Sequence, residues 1–477
     1  MNHSSSDRLA ASLRSWIASA PAGARLPSTR ELVATHRVSA ATVRAALARL
    51  SAEGLVITRP GAGTFAARSR PAGAADFSWQ TTALGPAPFE VPGLSAAFAP
   101  AAPGELNLAE AYPEPGLLPL EAVRSALQRV ARTPALGERA PVAGVEGLRA
   151  WVASDLASRT PAGVASAAAK DVLVLPGSQS GLGAIFRAVV GRSQPMLIES
   201  PTYWGARLAA AQAGVVLVPV PSGPHGPDPE EVERAFERSG ARAFYAQPTF
   251  ANPHGATWDA TARRDILALA RRLGAFIIED EWAADFSMDA VPAPLAAADP
   301  DGAVIGLRSL TKSVSPALRV AAVTARGPVH ARILAEVQAQ SLYVSPVLQH
   351  AALDVVTSPR WAAHRRALPA RLRERRDLLA TALATHAPQL RLGLLPRGGL
   401  NLWLGLPEQL SEATVTLACA RAGVQVFPGA RAFPAEAPAG FLRLNFAGTP
   451  AERLEEAARL VGHGLAEAER HDVARLG

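Results

Sequence analysis

Apolar positions recur at helical spacing near the start of the chain, at Leu9, Leu13, Trp16 and Ile17. They predict an amphipathic helix over residues 7–20. In Pro27-Ser28-Thr29-Arg30-Glu31, Ser28 can cap a second helix whose third residue, Glu31, reaches back to the cap amide. That helix ends near His36, and Ser39 then caps a third, with Val43, Leu47 and Leu50 at helical spacing. Two short capped helices across a tight turn form a helix-turn-helix. From Gly54 to Phe65 the pattern alternates and turns on Gly61 and Gly63. This suits a β-hairpin wing, in which glycine permits positive φ and close approach to a groove.

The rhythm then stops. Residues 70–105 hold six prolines amid alanine and glycine, with no helical period, and read as a linker. Phe77, Trp79, Phe89 and Phe98 are unusual for a free tether. After residue 105, short apolar runs alternate with helical stretches, which predicts an α/β domain on a mostly parallel sheet. The expected organisation is a DNA-binding unit at 1–69, the linker at 70–105, a large subdomain at 106–345 and a small one at 346–477.

Charge sharpens this division. The net charge is +7, and residues 1–70 alone hold ten arginines against Asp7, Glu31 and Glu53, while the remaining 38 basic and 38 acidic groups cancel. The excess on one segment points to a polyanionic partner, double-stranded DNA, for that segment alone. The third helix would enter the major groove, with Arg44 pointing away from the Val43/Leu47 face. Of the 48 basic residues only Lys170 and Lys312 are lysine. The single cysteine, Cys419, excludes a disulfide scaffold and a thiolate metal cluster. No long apolar stretch free of charge reads as a membrane span, and MNHSSSDRLA does not read as a signal peptide, so a cytoplasmic protein is expected.

In open α/β sheets ligands bind beyond the carboxyl ends of strands, so the residues after each apolar run carry the chemistry. Val172–Leu175 leads to Pro176-Gly177-Ser178-Gln179, a small-residue turn opening a helix whose amides can bind phosphate. Met196–Glu199 leads to Tyr203, Ala243–Ala246 to Asn252, and Ala275–Glu279 to Asp280. Val304–Leu307 leads to Ser309 and Lys312, with Arg319 seven residues on. Taken singly these are a loop aromatic, an Asx-turn, a capping aspartate and a surface lysine. Together they match the needs of pyridoxal 5′-phosphate: a lysine for the Schiff base, a carboxylate for the pyridine nitrogen, and cations and amides for phosphate.

These motifs carry two resemblances. LPSTREL, VSAATVRAALARLSAEGLV and RPGAGTF resemble the N-terminal domain of GntR-type regulators. That resemblance implies DNA contacts by Arg30, Ser39, Thr42 and Arg44 and by the wing glycines Gly61 and Gly63. From about residue 105 the chain resembles fold-type-I aminotransferases. There the family's Schiff-base lysine falls on Lys312, its pyridinium partner on Asp280, its ring-stacking residue on Tyr203 and its ring-hydroxyl contact on Asn252. Phosphate contacts fall on Ser178, Gln179, Ser309 and Arg319, and Arg443 falls where the family clamps a substrate α-carboxylate. Two positions depart: Ala40 stands where relatives have arginine, and Trp282 where they have a tyrosine bonded to the ring hydroxyl. A GntR-like winged helix joined to an aminotransferase-like domain is the MocR arrangement. It implies a head-to-tail homodimeric regulator that holds pyridoxal phosphate and senses an amino acid, an amine or the cofactor. The alternative is a working aminotransferase with an accessory DNA-binding domain.

Overall fold

The computed structural model describes residues 5–21, 23–67, 76–85, 104–290 and 292–476. Contacts divide the chain into two units, Met1–Pro88 and Phe89–Gly477.

In the first unit, α1 (Ser5–Ser19), α2 (Thr29–His36) and α3 (Ala40–Ala52) precede a hairpin of β1 (Val56–Arg59) and β2 (Gly63–Ala66). The predicted capping box is present: the Ser28 hydroxyl accepts the Glu31 amide, and the Glu31 carboxylate accepts the Ser28 amide. Ser39 caps α3 through the Thr42 amide. The α1 face differs from the expected one, because Leu9, Ala10 and Leu13 are buried while Trp16 is 36% exposed. On α3, Val43, Ala46 and Leu50 fill the core and Leu47 is only half-buried, since the inward stripe follows a spacing of three and four. Within the stretch read as linker, residues 78–84 form a short helix, α4 (Ser78–Leu84), with Phe77 and Trp79 exposed. Phe89 and Phe98 lie outside the described residues.

The second unit begins with β3 (Leu106–Asn107). Its large sheet comprises β4 (Val172–Leu175), β5 (Pro195–Ser200), β6 (Val216–Gly223), β7 (Gly226–Pro227), β8 (Ala243–Ala246), β9 (Phe276–Glu281), β10 (Val304–Ser309) and β11 (Ala321–Thr324). The order is β4-β11-β10-β9-β8-β5-β6-β7. Strands β5, β6, β8, β9 and β10 run parallel, β11 lies antiparallel between β10 and β4, and β7 is an antiparallel edge. Two antiparallel steps restore direction, so β4 also points with the parallel set. Six carboxyl ends therefore share one edge of the sheet.

Period-two alternation sorts the strand residues between two cores. Ile198, Tyr245, Ile278 and Leu307 pack on one face against the helices 178–189, 204–213 and 328–341. Leu197, Phe244 and Ile277 pack on the other against the helices 229–239 and 260–273. Both faces are covered, which is why these runs read as continuous apolar stretches. Past the apolar part of β9 and β10 the alternation separates charges instead. Asp280 and Ser309 fall on the face of Ile278 and Leu307. Glu281 and Arg308 fall on the opposite face, where Glu281 accepts from Arg159 at 2.6 Å and Arg308 donates to buried Asp285 at 2.8 Å.

A smaller antiparallel sheet follows: β12 (Arg391–Leu392), β13 (Asn401–Gly405), β15 (Phe427–Pro428) and β16 (Phe441–Asn445), in the order β12-β13-β16-β15. Strand β14 (Val424–Gln425) pairs in parallel with β3, tying residues 106–107 to this C-terminal part. Among the described residues no helix is long and apolar enough to cross a membrane.

Leu50 is fully buried where α1, α3 and the hairpin meet. Leu50→Ala should cost the first unit about 2–5 kcal/mol. Amide hydrogen exchange should then show lost protection in α1–α3 with the β4–β10 amides unchanged.

Candidate functional site

The first unit presents an arginine-rich surface whose few acids are already engaged. Glu53 accepts from Arg14 at 2.8 Å and from Arg49 at 3.3 Å, Asp7 pairs with Arg49, and Glu31 is held in its cap. Arg30, in the first turn of α2, and Arg44, on α3, are exposed and have no ion-pair partner among the described residues. The Ser39 and Thr42 hydroxyls bond one another at 2.9 Å, so both are ordered by the cap before any partner arrives. Gly61 and Gly63 sit in the wing turn at φ of +75° and +112°, where a side chain would be strained. A Cβ on Gly63 would also meet the Arg25 guanidinium at 3.0 Å. Ala40 is an exposed methyl at the start of α3.

In the second unit, every residue assigned to the pocket from sequence lines one cavity of about 370 Å³: Ser178, Gln179, Tyr203, Asn252, Asp280, Trp282, Ser309, Lys312, Arg319 and Arg443. Asp280 and Arg443 are its two deeply buried charges, 3% and 2% exposed. Asp280 Oδ2 accepts hydrogen bonds from Tyr245 and Gln247, both at 2.8 Å, while Oδ1 is buried without a partner among the described residues. Burial pushes its carboxyl above the ordinary range, against these two bonds and the nearby Lys312 charge. A cationic N–H at Oδ1 would return it to the ionised form. Asp280 is the penultimate residue of β9 and Ser309 the final residue of β10, because both strands extend two residues beyond the runs Ala275–Glu279 and Val304–Leu307.

Lys312 lies in the turn after β10, half-buried, with Nζ 4.4 Å from the Trp282 ring centroid. Burial lowers its pKa to about 8, with Asp280 opposing and Arg443 assisting the shift. At the start of the helix 178–189, Gly177 has φ +95°, and a Cβ there would come 2.5 Å from Arg319 Nη2. The Arg319 guanidinium thus lies across that helix N-terminus, where amides point outward. Ser178 Oγ is buried there without a partner among the described residues.

Three side chains are held differently from the sequence reading. Gln179 donates to the Gly205 carbonyl at 2.8 Å and accepts from the Tyr203 hydroxyl at 3.1 Å, so its amide orients the ring and leaves its backbone N–H for an anion. Trp282 donates its indole N–H to the Phe250 carbonyl at 3.0 Å, so it presents a ring face rather than a donor. Arg443 donates through Nη1 to Asn252 Oδ1 at 3.0 Å and through Nη2 to the Ala109 carbonyl, leaving Nε buried with no partner among the described residues. Its guanidinium stacks 3.9 Å from the Phe427 centroid, and burial lowers its pKa to about 9. A bidentate grip on a carboxylate needs Nε together with an Nη group released from one of these bonds.

Sequence reasoning missed Tyr245, Gln247 and Tyr112. Tyr245 carried a signal, a hydroxyl inside an apolar strand two residues before Gln247. Tyr112 and Glu110 enter from the segment after β3, where no apolar run marked a strand end.

Residues 105–461 match the family described as aminotransferase class I and II, and residues 5–66 match the bacterial regulatory proteins of the gntR family. The chain belongs to the aminotransferase class I and II family and carries a gntR-family helix-turn-helix ahead of it. This is the MocR-type arrangement. The 2-aminoadipate transaminase of Thermus thermophilus is 29% identical over 76% of this chain and 90% of that protein. The uncharacterized HTH-type transcriptional regulator YdcR of Escherichia coli is 27% identical over 96% of this chain and 98% of its own length. The structure of LysN, the α-aminoadipate aminotransferase of T. thermophilus complexed with N-(5′-phosphopyridoxyl)-L-leucine, matches 83% of this chain and 99% of its own at a TM-score of 0.71 and 26% identity.

The family's cofactor is pyridoxal 5′-phosphate, and the pocket suits it. The unpartnered buried atoms Asp280 Oδ1, Asn252 Nδ2 and Ser178 Oγ have the acceptor and donor characters that a ring N–H, a ring oxygen and a phosphate require. Gly177→Ala should displace Arg319 and weaken pyridoxal phosphate binding at least about tenfold. Equilibrium titration of cofactor absorbance measures this.

Proposed function

We propose that this chain is a pyridoxal-phosphate-dependent DNA-binding transcriptional regulator that senses an amino acid, an amine or the cofactor itself. What carries the reading is a gntR-type module and a pocket fitted to the cofactor on one chain, with regulator-named relatives matched over almost its full length. Residues 1–69 would bind DNA, 70–105 link, and 106–345 and 346–477 form the large and small subdomains. Arg30, Ser39, Thr42, Arg44, Gly61 and Gly63 are the proposed DNA contacts. We further propose a cytoplasmic, head-to-tail homodimer.

When bound, pyridoxal phosphate supplies a carbonyl that condenses with amines and a ring that withdraws electrons from them. Lys312 would be the amine that receives it, and a pKa near 8 leaves a usable neutral fraction at physiological pH. Asp280 Oδ1 would hold a ring proton, Tyr203 would cover the ring face and Asn252 Nδ2 would donate to the ring oxygen. Ser178, Gln179 through its backbone, Ser309 and Arg319 would neutralise phosphate. Arg443 would take the effector's carboxylate, since a buried guanidinium with no acidic partner among the described residues favours an anion. Effector binding regulates DNA affinity only if it favours one of two states, a population shift.

The second reading, a working aminotransferase, draws on the same residues and on the transaminase relative. Transfer of an amino group from amino acid to keto acid at enzyme-like rates would favour it over the sensor.

Lys312→Ala should remove the near-visible absorbance band of the cofactor-loaded protein, and a band that survives would sink the assignment. Arg44→Ala should weaken binding to the protein's own upstream DNA by about 1–3 kcal/mol in an electrophoretic or fluorescence titration. Affinity for that DNA should also fall steeply with salt, so a flat response would count against phosphate contacts.

A further inference from the structure

Lys312 Nζ is surrounded by aromatic faces. It lies 4.4 Å from the Trp282 centroid, 5.6 Å from that of Tyr203 and 5.9 Å from that of Tyr112. All three fall within the roughly 6 Å over which a ring quadrupole attracts a cation, and tryptophan attracts most strongly. The two nearest rings are held from behind. Trp282 is tied by its indole N–H to the Phe250 carbonyl, and Tyr203 by its hydroxyl to Gln179. Gly398 and Gly399 pack beside these rings: a Cβ on Gly399 would reach the indole at 3.5 Å, an ordinary contact, and one on Gly398 would overlap the Phe250 ring at 2.2 Å. Turning the indole face away from the amine would break its bond to the Phe250 carbonyl.

We infer that Trp282 is a positioning residue, the main wall of an aromatic cage that holds the Lys312 ammonium in the cofactor-free protein. The cage gives the position a use that a phenol would not, because an indole with its donor spent offers only a π face. It stabilises the charged amine against the desolvation that surrounds it. It also fixes Nζ beside Asp280, at the mouth of the space the cofactor would take. The inference rests on the pyridoxal phosphate reading for its purpose, but not for its geometry.

The charged and titratable groups facing this amine are Asp280 on β9, Arg443 on β16, Arg319, Glu110, Tyr203 and Tyr112. All are kept in the test. The chain has only two lysines, so reductive methylation with ¹³C-formaldehyde gives two lysine signals and that of the N-terminal amine. Lys312→Arg identifies the Lys312 signal, and Lys170 is the internal control. In full-length protein stripped of cofactor with hydroxylamine, the wild-type Lys312 methyls should resonate upfield of Lys170, shifted by the ring current of the indole. Trp282→Leu should abolish most of that displacement and lower the Lys312 titration midpoint by about one pH unit. Trp282→Phe, which keeps a smaller face and is the safer fold, should show both changes to a lesser degree.

Wild-type Lys312 methyls at the Lys170 position would overturn the cage. So would a Lys312 shift and midpoint that neither variant changes. Either result with the cofactor band intact would leave the cofactor reading standing. Conversely, an upfield Lys312 signal in a protein that never acquires the band would keep the cage and remove the cofactor reading.

Discussion

The pocket is organised around one buried carboxylate with one oxygen bonded and one left over. Asp280 is paid for only in part: Tyr245 and Gln247 satisfy Oδ2, and nothing among the described residues satisfies Oδ1. A charge taken out of water in this way is stable only if something returns to it what solvent gave. Lys312 does so at a distance, and a protonated ring nitrogen would do so directly. Other elements of the site follow from holding this carboxylate in place. The parallel strands bring Tyr245 and Asp280 to the same edge, and Gln247 follows β8 by one residue to reach the same oxygen.

The same alternation explains why so much ionic structure lies within one residue of the pocket without entering it. Glu281 and Arg308 are chain neighbours of Asp280 and Ser309, yet pair with Arg159 and Asp285 on the reverse face. Arg308 and Asp285 are buried, and a slip of one residue in either strand would exchange a solvated-ligand site for a salt-bridge network. The register of β9 against β10 is therefore under strong constraint from both sides.

Much of this was legible in the sequence because it rests on local rules. The Ser28/Glu31 capping box and the Ser39 cap follow from residue type and spacing alone. Lys312, Asp280, Asn252 and Tyr203 were legible because strand ends share an edge in parallel sheets, so each could be found from its own apolar run. What was not legible depends on partners far away in sequence. The indole N–H of Trp282 finds a carbonyl 32 residues back, and Arg443 finds Asn252 across 191 residues. Tyr112 enters from a segment with no periodic signal. The Trp16 error has a local cause: the inward stripe of α1 runs through Ala10, whose small side chain gives weak hydrophobic contrast.

The arginine-rich composition has a thermodynamic consequence that separates the two units. Guanidinium groups do not lose their protons in any physiological range. The first unit's acids resist the change from the other side, since Glu31 is held below the usual carboxylate range by its bonds to Ser28 and Glu53 by Arg14. Arginine charge on that unit is thus nearly constant, responsive to ionic strength but not to acidity. The pocket is the opposite case, with the Lys312 pKa moved down to about 8. In a single chain, one end would register salt and the other protons.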